Sequence, residues 1–94
     1  MRYSTEDRQA LESLAANLKR WRSSRGLTQE ALAEQAQTSV FTLQAVERGR
    51  SNPSFAIVLR LARALRCSLD DLAKHEPLHR RRGAPVKSRP NPTR

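Results

Sequence analysis

Residues 26–54 read GLTQEALAEQAQTSVFTLQAVERGRSNPS, and this stretch decides the fold. Thr28 precedes a run of good helix formers, Gln29 to Ala36, and its hydroxyl can accept from a free backbone N–H as an N-cap must. Leu32 and Ala36 lie four apart in that run. Gln37, Thr38 and Ser39 then break it. Ser39 can cap a second helix, which carries Leu43 and Val46 on one face and stops at Gly49. Thr38 adds to its buried side. Val40, Phe41, Thr42, Gln44 and Ala45 sit off that buried stripe. Val40 and Phe41 are odd residues for the open face of a plain surface helix.

Two short helices joined by a tight turn make a helix-turn-helix, whose second helix is left free to enter the major groove of DNA. Ala33 is small, so the second helix of the pair can approach closely. The expected unit spans about residues 28–48.

The same logic works outward. Leu11, Leu14, Leu18 and Trp21 form an apolar stripe at helical spacing, so a helix is expected from about Thr5 to Ser24. Ser4 and Asp7 resemble its capping box, and Gly26 supplies the left-handed residue that ends it. After the loop RSNPS, Ser54 can cap a fourth helix with Phe55, Val58, Ala62 and Leu65 facing inward. Ser68, with Asp71 three residues on, opens a short fifth helix that turns Leu69 and Leu72 to the core. No segment alternates in the β pattern. The fold expected is all-α: a compact five-helix domain over residues 1–76, followed by a disordered tail over 77–94. That tail holds Arg80, Arg81, Arg82, Lys87, Arg89 and Arg94, no acid and several prolines, and has too few apolar residues to fold.

Ninety-four residues allow one domain. Eighteen Lys and Arg against nine Asp and Glu give a net charge of +9, which points to a polyanionic partner. Cys67 is the single cysteine, so no intramolecular disulfide can form; it reads as a small core filler in a reducing compartment. No apolar run is long enough to span a membrane and the first residues are polar, so a cytoplasmic protein without membrane attachment is expected. Catalysis finds little support. His75 and His79 stand near no Ser or Cys motif, and Pro77 between them argues against a shared helix that could bind a metal. Neither an enzyme, a metal nor a cofactor is expected.

Taken together, GLTQEALAE at 26–34, ERG at 47–49 with RSNPS after it, and ALRCSLDDL at 64–72 resemble the helix-turn-helix family of the phage lambda repressor and Cro, often called the Xre family. The likeness covers about residues 11–73. It implies a small bacterial or phage transcriptional regulator, most simply a homodimeric repressor, a restriction–modification controller or an antitoxin. Two recognition helices would enter successive major grooves of an inverted-repeat operator, about 34 Å apart. The resemblance also implies roles. Ser39 to Val46 would be the recognition helix, with Val40, Phe41, Thr42, Gln44 and Ala45 at base edges. Gln29 would hydrogen-bond a phosphate and brace that helix. Ser39, Arg48, Arg50 and Asn52 would meet the phosphate backbone. Arg22 and Glu47 would form a partly buried ion pair between the first and third helices.

Two departures stand out. Gln37 replaces a family glycine in the turn, where a positive φ costs a non-glycine residue roughly 1 kcal/mol. The base-facing positions, often Gln, Ser, Arg or Asn in such proteins, include Val40, Phe41 and Ala45. These cannot hydrogen-bond; they could pack on thymine methyls, or leave readout to DNA shape. The alternative function is a protein-interaction module with Phe41 and Val40 as its contacts. The cluster Arg80–Arg82 reads as a solvated tail, a phosphate-binding arm or a contact for an acidic partner.

Overall fold

A computed structural model describes residues 3–75 of the chain. They form five helices and no strand: α1 (Thr5–Ser24), α2 (Gln29–Gln35), α3 (Val40–Glu47), α4 (Phe55–Leu65) and α5 (Leu69–Ala73). The basic segment 77–94, with His79 and Arg80–Arg82, lies outside the described residues.

Every helix begins at a side-chain hydroxyl. Ser4, Thr28, Ser39, Ser54 and Ser68 each accept from the backbone N–H three residues on. In α1 and α5 the third residue, Asp7 or Asp71, returns a bond to the cap's own N–H and completes a capping box. Caps of this kind contribute about 1 kcal/mol each, which matters for helices as short as α2 and α5.

The helix ends are as regular. Gly26, Gln37, Gly49 and Arg66 all have positive φ, at 69°, 58°, 73° and 58°. The next N–H in each case reaches back five residues: Leu27 to Arg22, Thr38 to Ala33, Arg50 to Ala45 and Cys67 to Ala62, at 2.9–3.2 Å. These are Schellman turns. Glycine enters the left-handed region freely, whereas Gln37 and Arg66 pay about 1–2 kcal/mol for it.

The core forms where the helical stripes meet. Leu18, Leu32, Leu43, Leu61, Leu65 and Leu72 are buried, with Leu14, Ala33, Ala36, Val46 and Ala62 around them. Trp21, Val58, Leu69 and Cys67 pack half-buried against this cluster. Burial raises the Cys67 thiol pKa above its ordinary value, reinforced by Asp71 and opposed by Arg25. One stripe residue departs from expectation. Phe55, read as inward-facing, is 66% exposed. It opens α4, whose fully buried residues Leu61, Ala62 and Leu65 all lie in its second half.

Polar side chains tie the helices where apolar contact runs out. Asn17 is 2% exposed, and its Nδ2 donates to the carbonyls of Leu72 and Lys74 at 2.9 and 2.7 Å. A buried amide so satisfied fixes the end of α5 on α1. Arg25 donates to the carbonyls of Leu65 and Arg66 at the end of α4, and its guanidinium lies 4.9 Å from the centre of the Trp21 ring. Arg60 donates to the Ala36 carbonyl at the end of α2. Each arginine places a cation at the negative end of a helix.

Candidate nucleic-acid interface

The site is built on α3 and the ends that flank it. Leu43, Val46 and Glu47 are its buried residues. At about 100° per residue they occupy one side of the helix, and Phe41, Ala45 and Arg48 fall on the opposite side. Phe41 is 77% exposed. Val40 is placed otherwise than its reading: it lies half-buried against the core. It is three residues before Leu43 and seven before Glu47, so the helical period turns it inward.

A polar network fastens this helix from behind. The Glu47 side chain is 3% exposed, and Arg22 Nε donates to its Oε2 at 2.7 Å while Nη2 donates to Oε1 at 3.1 Å. Arg22 Nη1 donates in addition to the Leu27 carbonyl at 3.0 Å, so one side chain joins α1, the α1–α2 loop and α3. A buried carboxylate is tolerable only when paired in this way. Gln29 Nε2 donates to Glu47 Oε1 at 2.9 Å, and Gln29 Oε1 accepts from Gln44 Nε2 at 3.2 Å. Gln29, first residue of α2, therefore spans to two residues of α3. Gln44, read as a base contact, is half-buried with its amide drawn to this flank.

The remaining residues read from the sequence take these places. Ser39 Oγ accepts from the Thr42 N–H and donates to Thr42 Oγ1 at 2.9 Å. Arg48 caps the C-terminus of α3, and Arg48, Arg50 and Asn52 are all exposed. Gly49 turns the chain against α1: a Cβ there would lie 3.8 Å from Ala15 Cβ. Asn52 sits farther round, at the edge of an apolar groove lined by Leu11, Pro53, Phe55, Val58, Leu69 and Ala73.

Lys19 was missed by the sequence reading. It borders one shallow recess with Gln29, Gln44, Glu47 and Arg48, so a cation of α1 joins those at the end of α3. The signal was present in its spacing: Lys19 lies four residues after Ala15 and three before Arg22, both of which face α3. Nor could the sequence show that Ser13 Oγ lies 3.1 Å from His75 Nδ1. The pair is at the surface, its members on opposite sides of α3 in sequence, and no carboxylate hydrogen bond accompanies it among those described.

Among the described residues, no helix is long and apolar enough to cross a membrane. No curated protein matches the chain. A family model described as a helix-turn-helix domain matches residues 13–75. Among solved structures, the restriction–modification controller protein C.AhdI from Aeromonas hydrophila is 34% identical, with a TM-score of 0.64, over 66% of this chain and 94% of that one. The clp gene regulator ClgR from Corynebacterium glutamicum is 33% identical, with a TM-score of 0.64, over 67% of each chain. The hypothetical transcription factor NHTF from Neisseria is 30% identical, with a TM-score of 0.69, over 79% of this chain and 82% of that one. With five helices, two of them joined by the tight turn at Gln37, and with these likenesses, the chain belongs to the helix-turn-helix domain family and has the fold of its transcription regulators.

Proposed function

We propose that the protein is a small transcriptional regulator that binds double-stranded DNA with α3 in the major groove. The observation that carries this reading is the pose of α3: its apolar side is buried, its back is braced by Arg22, Glu47 and Gln29, and its other side is open with cations around it. A helix entering the groove must resist rotation, since tilting it moves every contact. The buried ion pair and the glutamine bridge give that resistance.

In this reading Phe41 meets base edges, with the half-buried Thr42 and Ala45 beside it on the open side. Val40 and Gln44 shape the two sides of the helix from their half-buried positions. Arg48, Arg50 and Lys19 meet phosphates, which position the protein and supply salt-dependent affinity. Ser39 and Gln29 lie at the N-termini of α3 and α2, where an anion is favoured. The protein would act in the cytoplasm, as a homodimer on an inverted repeat. The groove between α1, α4 and α5, with the exposed Phe55 on its lip, provides apolar area for the second copy and leaves α3 uncovered. A controller role like that named for C.AhdI fits the size of the fold.

Fluorescence anisotropy with random duplex DNA at two salt concentrations tests the reading. Binding that weakens steeply as salt rises supports it. No binding at low salt would favour the other reading, in which exposed Phe41 is the contact of a protein-interaction module.

A further inference from the structure

We infer that α3 selects DNA by the C5-methyl group of pyrimidines, with Phe41 as the specificity-determining residue. This rests on the DNA-binding reading above and adds the chemistry that the helix recognises.

The argument is one of placement. Counting about 100° per residue from Leu43, which is fully buried, Phe41 and Ala45 lie within about 20° of the diametrically opposite line. They lie on the crest of α3, Phe41 exposed and Ala45 half-buried, and both are apolar. Phe41 is also more exposed than the other large apolar residues at the surface, 77% against 66% for Phe55 and 36% for Tyr3. Besides the buried Glu47, the hydrogen-bonding side chains within α3, Thr42 and Gln44, lie on its flanks and each already makes one bond to a neighbour, while Arg48 follows at the helix end. Gln44 donates to Gln29 Oε1, and Gln29 is itself fastened to the buried carboxylate of Glu47. Thr42 Oγ1 accepts from Ser39 Oγ. Swinging Gln44 to the crest would break the bridge that holds α2 to α3.

The major groove offers such a crest one apolar partner. Thymine presents a methyl group at C5, and 5-methylcytosine carries the same group; the other edges are hydrogen-bond donors and acceptors. A phenyl ring cannot satisfy those groups, and covering them would leave them unpaired. Packed on a methyl group, the ring gives up water and loses no hydrogen bond. Burying one methyl-sized group corresponds to about a fourfold gain in affinity.

The test begins with selection of a preferred site from a random duplex library, using the full chain. In that site each thymine is replaced singly by deoxyuridine, which removes the methyl group and keeps the base pair. At one or two positions per half-site, binding should weaken about three- to fivefold. At those positions 5-methylcytosine should also bind more tightly than cytosine by a similar factor. Phe41→Ala should lose both differences, and its thermal unfolding should match the unsubstituted chain, since the ring is exposed. Uracil that binds as well as thymine everywhere would overturn the proposal. So would Phe41→Ala that keeps the methyl dependence. A preference for thymine over cytosine that uracil fully shares, with no gain at 5-methylcytosine, would assign the readout to O4 and overturn it as well. Failure to enrich any sequence, with no binding at low salt, would instead overturn the DNA-binding reading itself.

Discussion

Arg22 and Glu47, 25 residues apart in sequence, meet in a two-point ion pair that joins α1 to α3 and leaves the carboxylate almost without solvent. Such a pair is a positioning device more than a source of stability. Replacing both partners with apolar residues can be neutral, whereas removing one strands the other in a medium that penalises its charge. Here the stranded charge would lie beneath the helix that carries the site.

Arg22→Ala should therefore destabilise the fold by about 3 kcal/mol. Glu47→Gln should cost less, because the amide can still accept from Gln29. Urea unfolding followed by helical circular dichroism measures both. Equal, small losses would mean that the pair is screened and does not hold α3.

Gln37 occupies a left-handed position at φ 58° in the turn between α2 and α3. Gln37→Gly should stabilise the protein by about 0.5–1 kcal/mol, the left-handed strain relieved less the entropy glycine adds to the unfolded chain. Gly26→Ala, at φ 69° with open space around it, should move stability the other way through strain alone. Thermal unfolding of the two variants checks the pair of signs. A loss on Gln37→Gly would show that the turn draws on the glutamine side chain.

Asp71 gives a pH signature. Its carboxylate accepts from the backbone and side chain of Ser68, and these bonds hold its pKa below the ordinary 3.8. A lowered carboxylate pKa adds stability above the unfolded-state value, and that stability disappears as pH falls through the folded-state value. Between about pH 5 and about pH 3 the unsubstituted chain should lose more stability than Asp71→Asn. The effect is small, since the group is at the surface. Parallel pH profiles for the two would contradict the role given to this cap.

Arg50 is exposed just beyond the end of α3 and is read as a phosphate contact. Arg50→Ala should weaken binding to all duplexes alike and flatten the dependence of log affinity on log salt by about one unit. Salt-dependent anisotropy measures the slope. A change in sequence preference would instead make Arg50 a base reader.

The fold was legible because its signals are local. Hydroxyl caps at Ser4, Thr28, Ser39, Ser54 and Ser68 and apolar residues at helical spacing mark five helices whose bounds the structure repeats closely. What the sequence concealed depends on distance in space. Asn17, in a run of helix formers, gives no hint that it closes α5, and Arg25 and Arg60 look like surface charge until the carbonyls they cap come near. Periodicity placed Phe55 on the inner stripe, but it cannot tell where a helix runs out past the edge of the core. In the candidate site the resemblance marked residues 39–46, where the structure has α3. It could not show that Val40 turns inward or that Gln44 is drawn to Gln29, because both follow from how α3 is rotated against α1 and α2.

The central claim is that the open side of α3 is the surface DNA meets. Nitrogen-15-labelled protein titrated with duplex DNA at low salt tests it residue by residue through backbone amide shifts. The account predicts that the largest changes fall on residues 39–45 and 48–50, with Leu69–Ala73 of α5 little moved. Changes concentrated on α4 and α5, with α3 unmoved, would contradict it.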